Sequence, residues 1–347
     1  MSHPTPASPR TGFVERALIV VAIAVALFLA WKVSVVFVLV FGGILLAVVL
    51  HALAAPLGRL LRLSERWALA VAVALVAGAV SGVGWLVGQR MSEQLGLLVQ
   101  QLPGAAAQAE AWLSGSPTGR FLVAVLTAAG QTGNTLSGLA GFATSTFGAL
   151  ADAVIILFLG LYLAADPHLY RDGLLRLLPR GGRRRAGAAL DAAGQALQRW
   201  LFGQLIAMAA VGVVVGTGLA LLGMPLALAL GLLAALLEFV PFIGPIVFSI
   251  PGILLAFAQG PVYALWIALF YLVVQQLEGN LLMPILQRWV VAMPPALGVI
   301  AVVVFGLLFG PVGVLFATPL MVVVMVLVQK LYVEAAIENK GPDSASP

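Results

Sequence analysis

An all-α integral membrane protein is the fold class this sequence predicts: about eight transmembrane helices, with Gly/Pro-broken re-entrant hairpins and a short amphipathic helical excursion. Three observations predict it. Hydrophobic residues make up 62% of the 347 and charged residues only 9%, with a mean hydropathy of +1.10, whereas a soluble domain carries about 25% charged residues. Apolar runs long enough to cross a bilayer recur from residue 17 to residue 328. Ala, Leu, Val and Gly dominate those runs, and the period-2 alternation of an outer-membrane barrel is missing.

The chain has no cysteine, which excludes disulfides and thiolate metal sites, and its three histidines (His3, His51, His168) are scattered. No cofactor and no metal site is expected. The +5 formal charge lies mostly in short loops, so it reports orientation in the membrane and not a nucleic-acid partner.

Residues 1–16, rich in Pro, Ser and Thr, read as a flexible cytoplasmic tail. Arg10 and Arg16 ahead of the run 17–31 imitate a signal peptide, but no cleavage-like ending follows and another apolar run begins after Lys32, so the segment reads as a retained span. Residues 17–89 hold three spans, 17–31, 33–58 and 67–89. Lys32 snorkels at a hairpin tip, a basic loop carries Arg59, Arg62 and Arg66, and Gly78/Gly82 and Gly84/Gly88 stand at helix-packing spacing. Residues 90–147 form the amphipathic extramembrane segment, and 148–165 the fourth span, stopped by Asp166-Pro167. The stretch 166–199 is a basic linker with the run Arg180-Gly-Gly-Arg183-Arg184-Arg185. A lipid-headgroup or nucleic-acid patch is one reading; a cytoplasmic loop obeying the positive-inside rule is the simpler one. An even number of crossings then puts both termini in the cytoplasm. Trp31, Trp67, Trp200 and Trp289 sit at predicted span ends, as an aromatic belt requires.

Residues 200–333 form the C-terminal transmembrane core, and 334–347 a second cytoplasmic tail. Two nearly charge-free runs there, 225–258 and 296–329, are too long for straight helices: each would extend about 51 Å, beyond the bilayer with its headgroups. Both must break or fold back. The first contains Pro241, Gly244-Pro245 and Pro251-Gly252; the second contains Gly306, Gly310-Pro311, Gly313 and Pro319. Such breaks free backbone groups at membrane depth, which is tolerated only inside protein or beside a wet cavity, and a pair of them points to a transporter site. Two proline-kinked structural helices are the plainer alternative.

Between Trp200 and Gln329 the charged residues are Glu238, Glu278 and Arg288. Glu238 falls about 20 Å along a helix counted from Pro225, near or past the bilayer midplane. An ionised carboxylate there needs a cation, a proton or water. Its alternative role is to satisfy backbone amides freed by the break. Glu278 shares a polar helix end with Gln275, Gln276 and Asn280; there the alternative is a solvated interfacial acid. Arg288 is the charge partner expected for either acid.

Taken in order, Glu238-Phe-Val-Pro241-Phe-Ile-Gly244-Pro245, Gln275-Gln-Leu-Glu278-Gly-Asn280 with Pro284, Pro295-Ala-Leu-Gly298, Phe305-Gly306 with Phe309-Gly310-Pro311 and Gly313, and Ala317-Thr318-Pro319-Leu320 resemble the autoinducer-2 exporter family of bacterial permeases. The resemblance implies a multi-pass transporter of the bacterial inner membrane, a homo-oligomer (a pentamer as first guess) with helical hairpins in the lipid. It makes Glu238, Pro241, Gly244, Pro245, Gln275, Glu278, Asn280 and Pro284 the motif residues. The family is named for export of autoinducer-2, and similar proteins are assigned sodium/proton antiport; fold analogy does not choose. The Ala/Gly-rich segment 90–147 departs from a more polar domain.

Export of a small polar solute by alternating access is the leading expectation, with Glu238 and Glu278 sensing a coupling ion and the backbone near Gly244-Pro245 and Gly310-Pro311 touching the solute. A sodium or lithium/proton antiporter is the second, and a non-transporting membrane scaffold the third. Enzyme motifs are missing. The expected partners are the lipid bilayer, a small-molecule or ion substrate, and further copies of the chain.

Overall fold

Apolar helices joined by tight turns make up the structure, a computed structural model that describes residues 34–115, 120, 146–287 and 294–334. In order these are α1 (Ser34–Leu61), α2 (Glu65–Ser114), α3 (Thr146–Ala165), α4 (Pro167–Arg176), α5 (Arg183–Leu221), α6 (Ala227–Leu237), α7 (Ile243–Phe257), α8 (Pro261–Leu277), α9 (Met283–Gln287), α10 (Pro295–Leu315) and α11 (Ala317–Val328). A π-helical turn, Glu278–Leu282, joins α8 to α9, and another, Gln329–Val333, follows α11. No strand occurs among the described residues.

Four stretches are long and apolar enough to cross a membrane: Val36–Leu61, Arg183–Leu221, Pro261–Ile285 and Pro295–Leu315. The bent pair Ala151–Ala165 and Pro167–Arg176 makes a fifth if its 87° elbow is counted within one span. Among the described residues four or five stretches thus meet the length of a span, and α6, α7 and Ala317–Val333 are shorter apolar helices. The span 17–31, Lys32 and both tails lie outside the described residues.

The N-terminal helices follow from their turns. Arg62 takes a positive φ of 53° between α1 and α2, and Leu63 N–H closes the turn on the Gly58 carbonyl at 3.0 Å. The helix α2 then runs for 50 residues through the position where a span was expected to give way to a separate excursion, and Pro103 inside it does not end it. Its far half lies on the C-terminal core. Gln94 Oε1 accepts the Ala229 N–H at 3.1 Å in the first turn of α6, Leu98 and Ala105 join the core cluster, and Trp112 meets Phe257 at 5.7 Å between ring centroids. A Cβ on Gly78 or Gly82 would meet nothing among the described residues. Close helix approach occurs elsewhere, between α5 and α6, where a Cβ on Gly231 would lie 2.6 Å from the Gly216 Cα.

The basic stretch 166–199 is helical. Asp166 Oδ1 caps α4 by accepting the Leu169 N–H at 3.1 Å. Arg171 pairs with both oxygens of Asp191 at 2.8 and 2.7 Å, tying α4 to α5; that hydrogen bond holds the guanidinium above its already high ordinary value. The start of α5 is packed through Ala189, Ala193, Ala196 and Leu197, so the segment is structured well before Trp200.

Candidate functional site

The first long apolar run folds as a helical hairpin. At 1.5 Å per residue α6 reaches about 16 Å and α7 about 22 Å, short of the roughly 30 Å hydrocarbon layer. The reversal between them is tight: Val240 N–H donates to the Leu237 carbonyl at 3.1 Å and Gly244 N–H to the Val240 carbonyl at 2.8 Å. Ile243 N–H reaches back to the Pro241 carbonyl at 2.9 Å, a γ-turn centred on Phe242 at φ 70°, ψ −43°, a backbone region that costs a bulky residue strain. Any Cβ on Gly244 would strike the Leu237 carbonyl, so the turn excludes every other residue there. Pro241, Gly244 and Pro245 are all buried in it.

Glu238 opens that turn and is 0% exposed, and among the described residues neither of its carboxylate oxygens has a hydrogen-bond partner. Glu278 is 9% exposed, at the point where α8 passes into its π-helical turn, and its Oε2 is likewise unpartnered. The two side chains are neighbours and act on each other electrostatically. The sequence brings them together simply: the buried stripe of α8 runs through Ala264, Ile267, Tyr271 and Val274 and continues to Glu278. Two carboxylates side by side and out of water repel, so the pair calls for a shared proton, a cation or water. The Glu238 carbonyl, freed where α6 ends, accepts a hydrogen bond from Gln204 Nε2 on α5, itself 5% exposed. Beside the same stripe the Tyr271 hydroxyl is buried without a partner against Gly252.

The second long run also reverses. Gly310 sits at φ 68°, ψ −151°, outside helical space, in a region essentially restricted to glycine. The chain folds back so closely that a Cβ on Gly313 would strike the Phe305 carbonyl. The helix Pro295–Leu315 is thus two limbs. Gly313 and Pro319 are buried, Gly310 is half-buried and Pro311 exposed.

Both hairpins lean on one tryptophan. Trp200 is 6% exposed and meets Phe239, from the first tip, edge-on at 5.8 Å. The same apolar cluster takes Phe309, Val312 and Phe316 from the second. Trp200 is therefore no interfacial anchor, in contrast to Trp67, which is 68% exposed; residue 200 falls at a composition boundary, but α5 is already packed there.

Gln275 and Asn280 are exposed, as are Gln276 and Pro284, with Asn280 Nδ2 donating to Gln276 Oε1 at 3.0 Å. They flank the acid pair along the chain without joining its burial. Arg288 lies outside the described residues. Gln204 and Tyr271 are site residues that sequence reasoning missed; an amide inside an apolar helix was the available signal for the first. Among the described residues no three His, Cys, Asp or Glu side chains group to hold a metal ion.

Comparison with known proteins agrees with this architecture. A family model described as "AI-2E family transporter" matches residues 17–332. The chain is 29% identical over 175 residues to "Putative transport protein YrrI" of Bacillus subtilis, covering 50% of each chain. It is 31% identical over 185 residues to "Putative permease PerM" of Escherichia coli, 51% of each. Over 106 residues it is 40% identical to "Putative transport protein MT0215" of Mycobacterium tuberculosis, 30% of this chain and 29% of that one. The chain thus spans about half the length of the first of these relatives, 50%.

Proposed function

The chain belongs to the AI-2E transporter family, a family of multi-pass membrane transporters, and we propose that it is a secondary transporter of the bacterial inner membrane that exports a small polar solute of the autoinducer-2 kind by alternating access. The observation that carries this reading is the carboxyl pair Glu238–Glu278, buried at the tip of a hairpin too short to cross the bilayer. A group that must trade charge for a proton or cation each time water reaches it is a coupling site, and a half-length hairpin is an element able to admit water from one side at a time. Gln204 and Trp200 hold the tip against α5, through one hydrogen bond to the Glu238 carbonyl and one edge-on ring contact with Phe239. The basic α1–α2 turn and the α3–α4 elbow line one cavity, at one end of the described residues; under the positive-inside rule that end is the cytoplasmic one.

A sodium or lithium/proton antiporter is the second reading. It is favoured by the two Glu238 oxygens, which meet no donor among the described residues and are of the oxygen type that ligates hard cations. Reconstitution into liposomes with an internal pH dye separates the two. Proton movement triggered by sodium or lithium alone assigns antiport; proton movement only with an organic solute on the other side assigns solute export. Glu238→Gln should abolish either flux while the protein still inserts. Full flux from E238Q overturns the role given to the acid in both readings, and no flux from the wild-type chain under either gradient leaves a membrane scaffold.

A further inference from the structure

At the basic end of the molecule a cavity of about 520 Å³ opens between the end of α1, the start of α2 and the α3–α4 elbow. This lies within the size range of small-ligand sites. The sequence explains the void, because the backbone-facing walls are small: Ala54, Ala55 and Gly58 on α1, Ala68 on α2, Ala164 and Ala165 on α3. The polar lining comes in both signs. Arg59 ends α1, Glu65 and Arg66 open α2, and Asp166 stands in the elbow, while His51 and His168 complete it. With the histidines neutral, two guanidinium groups balance two carboxylates.

Those charges are available. Among the described residues no ion pair engages Arg59, Glu65 or Arg66. Arg59 spends only its Nε, on the Ala55 carbonyl at 3.3 Å, and Asp166 only its Oδ1, on the cap of α4. His51 Nδ1 is in contact with the Ala47 carbonyl at 3.2 Å, leaving Nε2 for the cavity. An overall neutral cavity with separated positive and negative groups is complementary to a zwitterion better than to a simple anion.

The depth is that of lipid headgroups. The helix α4 leaves α3 at 87°, so it runs along the membrane surface when α3 crosses, and it carries exposed Leu169, Tyr170 and Leu174 beside Arg171 and Arg176. Trp67 and Tyr162, neighbours in sequence of cavity residues, are 68% and 64% exposed, the aromatic placement found at the headgroup level. Leu60 and Leu61, exposed at the end of α1, offer apolar surface for acyl chains.

We propose that this cavity binds a zwitterionic aminophospholipid headgroup, its phosphodiester on Arg59 and Arg66 and its ammonium on Glu65 and Asp166. The recognised chemistry is a phosphodiester joined to a primary ammonium, which a soluble glycerophosphoethanolamine also carries. The site is independent of the carboxyl pair and of any transport reading.

Native mass spectrometry of the purified full chain, offered phosphatidylethanolamine or phosphatidylglycerol of matched acyl chains, tests it. Retention of phosphatidylethanolamine should exceed that of phosphatidylglycerol about five-fold, the discrimination expected of one ammonium–carboxylate pair at a wet surface. The double variant R59Q/R66Q should lose most retention of both lipids, because they share the phosphodiester, and so should Ala55→Leu, which fills the cavity and leaves every charge in place; size-exclusion profiles show which variants fold. E65Q should invert the preference toward the anionic lipid. Displacement of bound lipid by submillimolar glycerophosphoethanolamine assigns the site to the soluble compound, and failure to displace assigns it to the membrane. Equal retention of both lipids by the wild-type chain, or retention undiminished in both R59Q/R66Q and A55L, overturns the proposal.

Discussion

The two hairpins solve one problem with different means. Each breaks an apolar run at glycine and proline, and each sets its tip against Trp200. The first carries a buried acid in its turn, a strained γ-turn at Phe242 and a single amide, Gln204, holding its freed carbonyl. The second turns on Gly310 and Pro311 with no titratable group in the turn. On the proposed reading, what separates the first hairpin from a structural kink is the carboxyl pair at its tip, whose buried oxygens meet no hydrogen-bond donor among the described residues.

Four measurements break or sharpen that contrast. The largest effect belongs to Glu238→Gln, which should remove coupled flux in liposomes while thermal unfolding in detergent shifts little or upward, because a buried charge-bearing group is neutralised. If G310A abolishes flux in folded protein as completely as E238Q, the asymmetry between the hairpins is lost. Gly244→Ala comes next: its new Cβ meets a backbone carbonyl, so the first hairpin should lose about 3 kcal/mol, read from denaturation of the solubilised protein. Gly310→Ala forces a side chain into a glycine-only region and should cost about 2 kcal/mol, mainly in stability and not in flux per folded molecule. Gln204→Leu leaves the Glu238 carbonyl without its donor, costing about 1–2 kcal/mol and, if the seam opens during transport, raising the rate at which the tip becomes accessible to a thiol reagent on a cysteine placed at Phe239. A smaller gain in labelling at a control cysteine in the second tip would keep the contrast intact.

Much of this was legible in the sequence, for a physical reason. Glycine, proline and a carboxylate are expensive inside an apolar run, so Glu238, Gly244-Pro245 and Gly310-Pro311 stand out from their surroundings. The helical membrane class followed from composition in the same way. What escaped reading were residues whose meaning depends on a neighbour from another helix. Trp200 has the composition context of a belt residue and becomes a pivot only because Phe239 and Phe316 arrive from elsewhere. Gln204 looks like a trailing polar residue of a basic segment until the Glu238 carbonyl is placed beside it. The run of Gln, Ser and Gly after residue 89 lowers hydropathy without breaking a helix, so α2 extends where a separate excursion was expected. Conversely, Gly78 and Gly82 carry the spacing of a packing motif, yet a Cβ on either would meet nothing among the described residues.

The bond from Gln94 to the first turn of α6 has a mechanical consequence. It pins the root of the first hairpin to the α2 rod, while the tip rests on α5 through Gln204 and Trp200. With a rise of 1.5 Å per residue, pivoting α6 by about 10° at its root would carry Glu238 about 3 Å, enough to exchange one set of neighbours for another. A slight tilt of the 50-residue rod would thus be magnified at the acid, so force applied far from the chemistry would set its timing.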